Sequence, residues 1–138
     1  MAPADTLAVY RLMQEGLTAD EATLLPADLL AEDVLVETPF APEGLRRFEG
    51  REAWLAYYRT AGAGLAVRFD PLRELATHRT DDPEVLVVEY ELTGTVLATG
   101  VRASVTCIAV LRVREGRIAL WREYQDLPAI TAALTARP

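Results

Sequence analysis

Lysine is absent from this chain, and all fourteen of its basic residues are arginine. That absence removes Schiff-base chemistry, a pyridoxal-phosphate anchor and the G-x-x-x-x-G-K-[ST] phosphate loop together. Cysteine and histidine are nearly as scarce, with Cys107 and His78 each the sole representative of its type. A disulfide within the chain is excluded, and a Cys/His zinc site lacks donors. Positive charge is also short: the net charge is −7. Nucleic-acid affinity comes largely from cations that neutralise phosphates, so a polyanionic partner is opposed. Long apolar runs are missing too. Apolar residues make up 51% of the chain, but in short runs broken by Arg, Glu, Asp, Gly and Pro, never the ~20 in succession that a membrane helix needs. Any catalysis therefore falls to carboxylates, tyrosines and arginines, and the expectation is chemistry without a cofactor or a metal.

The opening MAPADTLAVY has neither a basic region nor a signal-type apolar segment, so a cytoplasmic location is expected. A length of 138 residues suits one domain, 1–138, in which roughly two thirds of the unfolded surface can be buried.

The first third reads as helical. Asp5 or Thr6 can cap a segment with Val9, Leu12 and Met13 on one face and Gly16 at its end. Asp20 opens a second segment toward Leu24, Leu25, Leu29 and Leu30, kinked or restarted at Pro26. The β-branched run Val34 to Thr38 reads as a strand stopped by Pro39 and followed by a loop from Phe40 to Glu49. Gly50 to Gly62 is a third helix, with Trp54, Tyr57, Tyr58 and Ala61 on one face. From Leu65 the texture turns to long β stretches separated by Thr80-Asp81-Asp82-Pro83, Ala98-Thr99-Gly100 and Glu115-Gly116, predicting four antiparallel strands in meander order. Helices first and strands afterwards is an α+β pattern.

A two-residue turn at Glu115-Gly116 pairs Arg114 with Arg117, and the same register sets Glu123 opposite Ile108 and Trp121 opposite Val110. A three-residue turn at Thr99-Gly100-Val101 brings Tyr90 and Leu92 onto that face, whereas a two-residue turn brings Glu89 and Glu91. The sequence leaves this choice open.

Three stretches, Glu32 to Pro39, Phe48 to Ala53 and Gly116 to Asp126, together resemble the nuclear transport factor 2-like superfamily, across nearly the whole chain. The resemblance implies a cone-shaped, cystatin-like roll of three N-terminal helices on a strongly curved, mixed and mostly antiparallel sheet. It also implies a homodimer formed through the sheet, with a pocket for a small molecule. Within the superfamily the texture is similar to SnoaL-like polyketide cyclases, limonene-epoxide hydrolases and the PhzA/PhzB phenazine-biosynthesis proteins. The stretch Trp121-Arg122-Glu123-Tyr124 resembles the epoxide-hydrolase pattern in which the acid before Tyr is catalytic; SnoaL-like cyclases use an Asp three residues later, here Asp126. Epoxide hydrolases also carry an Arg-x-Asp pair where this chain has Tyr90 and Leu92, and ketosteroid isomerases place acids where it has Thr38 and Ile108. Neither of those activities is favoured. The phenazine proteins' pocket His corresponds to Tyr57.

Glu123 is the first catalytic candidate, because a carboxyl among apolar neighbours is desolvated and suited to proton transfer near neutrality. The competing reading is a solvated or dimer-interface carboxylate paired with Arg122 or Arg112. Tyr90 can donate to a developing oxyanion, or else simply pack in the core. Asp126 ranks behind Glu123, since three residues along a regular strand it faces the other way. Val36, Thr38, Trp54, Tyr57, Tyr58, Leu92, Ile108, Val110 and Trp121 are the expected substrate-binding walls. Cys107 reads as a small buried hydrophobe, His78 as a strand-surface residue and Glu37 as outward-facing; Arg46 and Arg47 either steer an anion to the mouth or form a solvated edge. The functional expectation is an enzyme of secondary metabolism performing cofactor-free cyclisation, isomerisation or condensation of an apolar carbonyl compound. The alternatives are a carrier of the same fold that binds an apolar metabolite unchanged, and a dimerisation module with a filled interior.

Overall fold

The computed structural model describes residues 6–16, 27–64 and 67–137. Helix α1 (Thr6–Gly16) buries Val9, Tyr10 and Met13 along one side, while Leu12 turns to solvent, contrary to its expected place on the packed face. The Thr6 hydroxyl donates to the Pro83 carbonyl at 3.0 Å and fixes the start of this helix against the sheet.

The second predicted helix, from Asp20 to Leu30, lies mostly outside the described residues. Its final residues are not α-helical: Ala27–Leu29 form a 3-10 turn, and Leu30 begins strand β1 (Leu30–Glu37), four residues before the expected start at Val34. Strand β2 (Arg47–Glu49) follows the loop, and helix α2 (Arg51–Gly64) follows Gly50, whose φ of 93° makes the sharp turn between them. Thereafter come β3 (Val67–Phe69), β4 (Arg73–Arg79), β5 (Val85–Val96), β6 (Arg102–Arg114), β7 (Arg117–Gln125) and α3 (Leu127–Thr135). The third helix is thus C-terminal, which corrects the expectation of three N-terminal helices. A Pro at its first turn and the Asp126 cap begin it directly after β7.

The strands form one seven-stranded sheet in the order β2-β1-β7-β6-β5-β3, with β4 also paired to β5. All pairs are antiparallel except β1 with β7, so the sheet is mixed and the chain is α+β. The expected four-strand meander becomes three long strands and a broken edge. β4 pairs with the first half of β5 and β3 with its second half, because Pro71 interrupts the edge between them.

Register shifts in the β1–β7, β4–β5 and β6–β7 pairs supply the bending that curls the sheet into a half-barrel. Its inner face is the core: Leu86, Val88 and Tyr90 from β5, Cys107, Ala109 and Leu111 from β6, and Ile118 and Trp121 from β7. Helix α1 packs on β5 and β6, and α2 packs on β1 and β2. No helix among the described residues is long and apolar enough to cross a membrane.

Candidate active site

Glu123 stands near the end of β7, and what surrounds it follows from one bulge. The turn at Glu115-Gly116 pairs Arg114 with Arg117 as expected, Glu115 and Gly116 both adopting positive φ (53° and 76°). Two residues later the register slips: Val113 pairs with Ile118 but Arg112 with Leu120, leaving Ala119 as the extra residue. Glu123 consequently opposes Ala109 rather than Ile108, and Trp121 opposes Leu111 rather than Val110. Ile108 and Val110 fall on the outer face, where Ile108 is 40% exposed, and they leave the set of expected binding walls.

The β5–β6 turn is neither of the two considered. Val96 pairs with Val101 around a four-residue turn, so Tyr90 opposes Cys107 and Glu89 opposes Ile108. The two departures compensate. Tyr90 and Glu123 share the inner face, as the three-residue turn had been expected to arrange, but on rows the simple register does not give.

Three successive rows cross this face. Leu86, Leu111 and Trp121 make an apolar row that continues to Val36 on β1. The next row runs Thr77, Val88, Ala109, Glu123, and the third runs Tyr90, Cys107, Gln125. In the second and third rows β6 contributes the small residues, Ala109 and Cys107. Leu92 and Val105 extend the face beyond the third row as partly buried neighbours of the core.

Glu123 is 3% exposed. Burial pushes its carboxyl up to about 7, against the opposing effect of a hydrogen bond from Gln125. Gln125 Nε2 donates to Glu123 Oε2 at 2.6 Å, while Oε1 is buried with no partner. The competing ion pairs are not made: Arg122 donates to Glu37 at 3.1 Å, and Arg112 to Asp82 and Glu84 at 3.0 and 2.9 Å. Glu37 thus points outward, as expected, where it also meets Arg47 at 3.6 Å.

Among the described residues three further buried polar atoms lack a partner: Tyr90 Oη, Trp54 Nε1 and Thr77 Oγ1. An unmet buried donor or acceptor costs roughly 1–3 kcal/mol, so each of these four atoms is a candidate to meet a polar group. Trp54 reaches the interior from α2 as part of an aromatic cluster. Its ring lies 5.6 Å from Phe48, 5.8 Å from Tyr57 and 5.6 Å from Tyr58, and Phe48 stacks on Tyr57 at 4.5 Å.

The remaining candidates take structural places. Asp126 is exposed at the start of α3, where Oδ1 accepts from the Ala129 amide at 3.1 Å; it is a helix cap, not a partner of Glu123. Thr38 donates its hydroxyl to the Leu45 carbonyl at 2.9 Å and shapes the loop. Arg46 donates to the Ala41 carbonyl at 2.7 Å in the same loop. Cys107 is buried, its thiol pushed up to about 11 chiefly by desolvation, and is inert. His78 lies on the surface against Glu89 at 2.7 Å. Sequence reasoning missed Gln125 and Thr77. Gln125 had a signal, since it follows Glu123 at the period-two spacing of a strand face; Thr77 had none before its strand was paired.

A separate groove of about 490 Å³ lies between β1 and the β6–β7 turn, lined by Glu32, Asp33, Arg114 and Arg117 among others. It is charged and open, and none of the inward-facing candidates borders it.

A family model described as the SnoaL-like domain matches residues 9–121. The chain belongs to the SnoaL-like family. A PhzA/B-like protein of Pseudomonas aeruginosa is 35% identical over 98 residues, which cover 70% of this chain and 67% of that protein. Among solved structures, a nuclear transport factor 2-like protein of unknown function from Burkholderia pseudomallei superposes with a TM-score of 0.74 at 22% identity, covering 96% of this chain and 98% of that one. An LEH-like epoxide hydrolase from M. tuberculosis gives a TM-score of 0.69 at 17% identity, covering 97% and 92%. At those identities the structural likeness concerns the fold.

Proposed function

We propose that this SnoaL-like chain is a cofactor-free enzyme of small-molecule metabolism that moves a proton on an apolar carbonyl compound, in a cyclisation, isomerisation or condensation. What carries the reading is the Glu123 carboxyl, buried and, among the described residues, without an ion pair, its Oε1 unpartnered on the same inner face as the unpartnered Tyr90 hydroxyl. A carboxyl pushed up to about 7 is divided between acid and base near neutrality, the condition for efficient proton transfer.

In the proposed step Glu123 Oε1, ionised, takes a proton from the carbon beside the substrate carbonyl. The C–H electron pair moves into the new C–C double bond, and charge gathers on the carbonyl oxygen. Tyr90 donates its hydroxyl hydrogen bond to that oxygen, and Trp54 Nε1 offers a second donor from α2. The carboxyl then returns the proton to another carbon for isomerisation, or to the new alkoxide when the enolate closes a ring. Val36, Leu92, Trp121, Tyr57 and Tyr58 supply apolar walls that exclude water and strengthen these few contacts. The PhzA/B-like relative and the epoxide hydrolase that shares the fold are in keeping with small-molecule chemistry. Epoxide opening is the less suited variant, because Tyr90 and Leu92 stand where that mechanism needs Arg and Asp. We propose also that the cone closes as a cystatin-like roll and that two chains pair through their outer sheet faces.

Native mass spectrometry of the purified protein, read for a co-purifying neutral compound, names the substrate class. With that compound, Glu123→Gln should lose turnover by about 10²–10⁴-fold while still binding. Unchanged turnover removes Glu123 from the chemistry. Saturable binding with no product in the wild type supports instead the carrier reading, which draws on Thr38 being committed to the loop and Ile108 to the outer face.

A further inference from the structure

We infer that Gln125 is a positioning residue that holds Oε2 of Glu123 and thereby presents Oε1 alone to a ligand. The inference rests on the reading of Glu123 as the proton-transfer group.

A glutamate carboxyl has two equivalent oxygens and a broad terminal torsion, so an isolated one samples many orientations. Here Gln125 is two residues further along β7, on the same face, with its amide Nε2 at 2.6 Å from Oε2. Among the described residues this is the carboxyl's sole hydrogen bond, and Oε1 is left buried and unmet. One oxygen is anchored and the other is free, and that asymmetry fixes the plane of the group.

Gln125 itself is held at a stiff point of the chain. Its backbone forms the last pair of the β6–β7 ladder, opposite Cys107. The next residue is Asp126, which locks the start of α3 through its bond from the Ala129 amide. Strand ends usually fray; this one is pinned on both sides.

Among the described residues, no charged side chain forms an ion pair or hydrogen bond with the carboxyl. Its row continues to Ala109 on β6 and Val88 on β5, and the next row holds Cys107 and Tyr90. Asp126, the charged group beside Cys107, accepts from the Ala129 amide at the start of α3. From β1, Val36 pairs with Trp121 in the row beside that of Glu123. Arg122, adjacent on β7, turns to Glu37, and Arg112 turns to Asp82 and Glu84. A carboxyl held in this way moves its proton through one oxygen, so removal and return take place on one face of the substrate.

The test reads Glu123 directly, without a substrate. Protein labelled with ¹³C at its glutamate carboxyls is titrated by NMR, and the Glu123 signal is identified by its loss in Glu123→Gln. Gln125→Met removes the donor while keeping length and bulk, and the Glu123 midpoint should then rise by roughly one pH unit, the size expected when a hydrogen bond to a charged group is lost. Gln125→Asn, one methylene short of reach, should give the same upward shift and serves if the Met variant folds poorly. A midpoint unmoved in the folded variant overturns the role of Gln125. A wild-type Glu123 that titrates in the ordinary carboxylate range overturns instead the reading of Glu123 on which this inference stands.

Discussion

A single carboxyl can be expected to make the stability of the whole chain depend on pH. Glu123 moves from an ordinary value of 4.5 to about 7 on folding, with burial as the first cause. Below 4.5 both folded and unfolded chains hold the proton, and Glu123 contributes no pH dependence. Between 4.5 and about 7 the folded chain keeps a proton that the unfolded chain has released, so stability falls as pH rises through that window. Above about 7 the buried group is ionised and the full cost, on the order of 3 kcal/mol, is present. Glu123→Gln removes the ionisation, and its stability advantage over the wild type should grow from pH 5 to pH 8 by an amount of that order. Urea denaturation at a series of pH values measures the difference. Two parallel curves would mean that the carboxyl is hydrated after all. The price of keeping such a group is one a purely structural position would not carry.

Elements decide whether Glu123 is seen in its place. The helix with Trp54, Tyr57 and Tyr58, the tight turn at Glu115-Gly116 and the three strands after Asp82 were legible, because each rests on local periodicity or on residues that adopt positive φ. What the sequence did not disclose was pairing. The bulge at Ala119 and the four-residue turn before Val101 each depend on contacts with another strand, and together they put Ile108 and Val110 outside and bring Gln125 in. Helix α3 was hidden for a related reason: Asp126 resembled a catalytic acid, yet its side chain accepts the hydrogen bond of a helix start. Asp126→Ala should therefore cost about 1 kcal/mol of stability, as loss of an N-cap does, and leave turnover per folded molecule unchanged. Equilibrium denaturation and an activity assay on the same preparation decide it. Turnover lost with the fold intact would return Asp126 to the chemistry.

At the scale of the molecule, the sheet has two faces with different claims on apolar residues. The inner face carries the candidate site. The outer face carries Ile108, 40% exposed, beside Tyr124, whose ring meets the 61%-exposed Phe40 edge-on at 5.5 Å. Ion pairs between Glu37 and Arg122 and between His78 and Glu89 lie on the same face. Apolar residues ringed by charge have the makeup of an interface centre and its rim, and a two-fold pairing would bring this patch against its own copy. The proposed homodimer therefore predicts that the chain sediments as a dimer and that Ile108→Arg, which places a charge at the centre of the patch, yields a folded monomer. Because Ile108 faces away from Glu123, the NMR titration of that carboxyl should keep its midpoint in the monomer. A wild-type chain that sediments as a monomer throughout removes the dimer, and a midpoint that moves with dissociation would show that the two faces of the sheet are coupled.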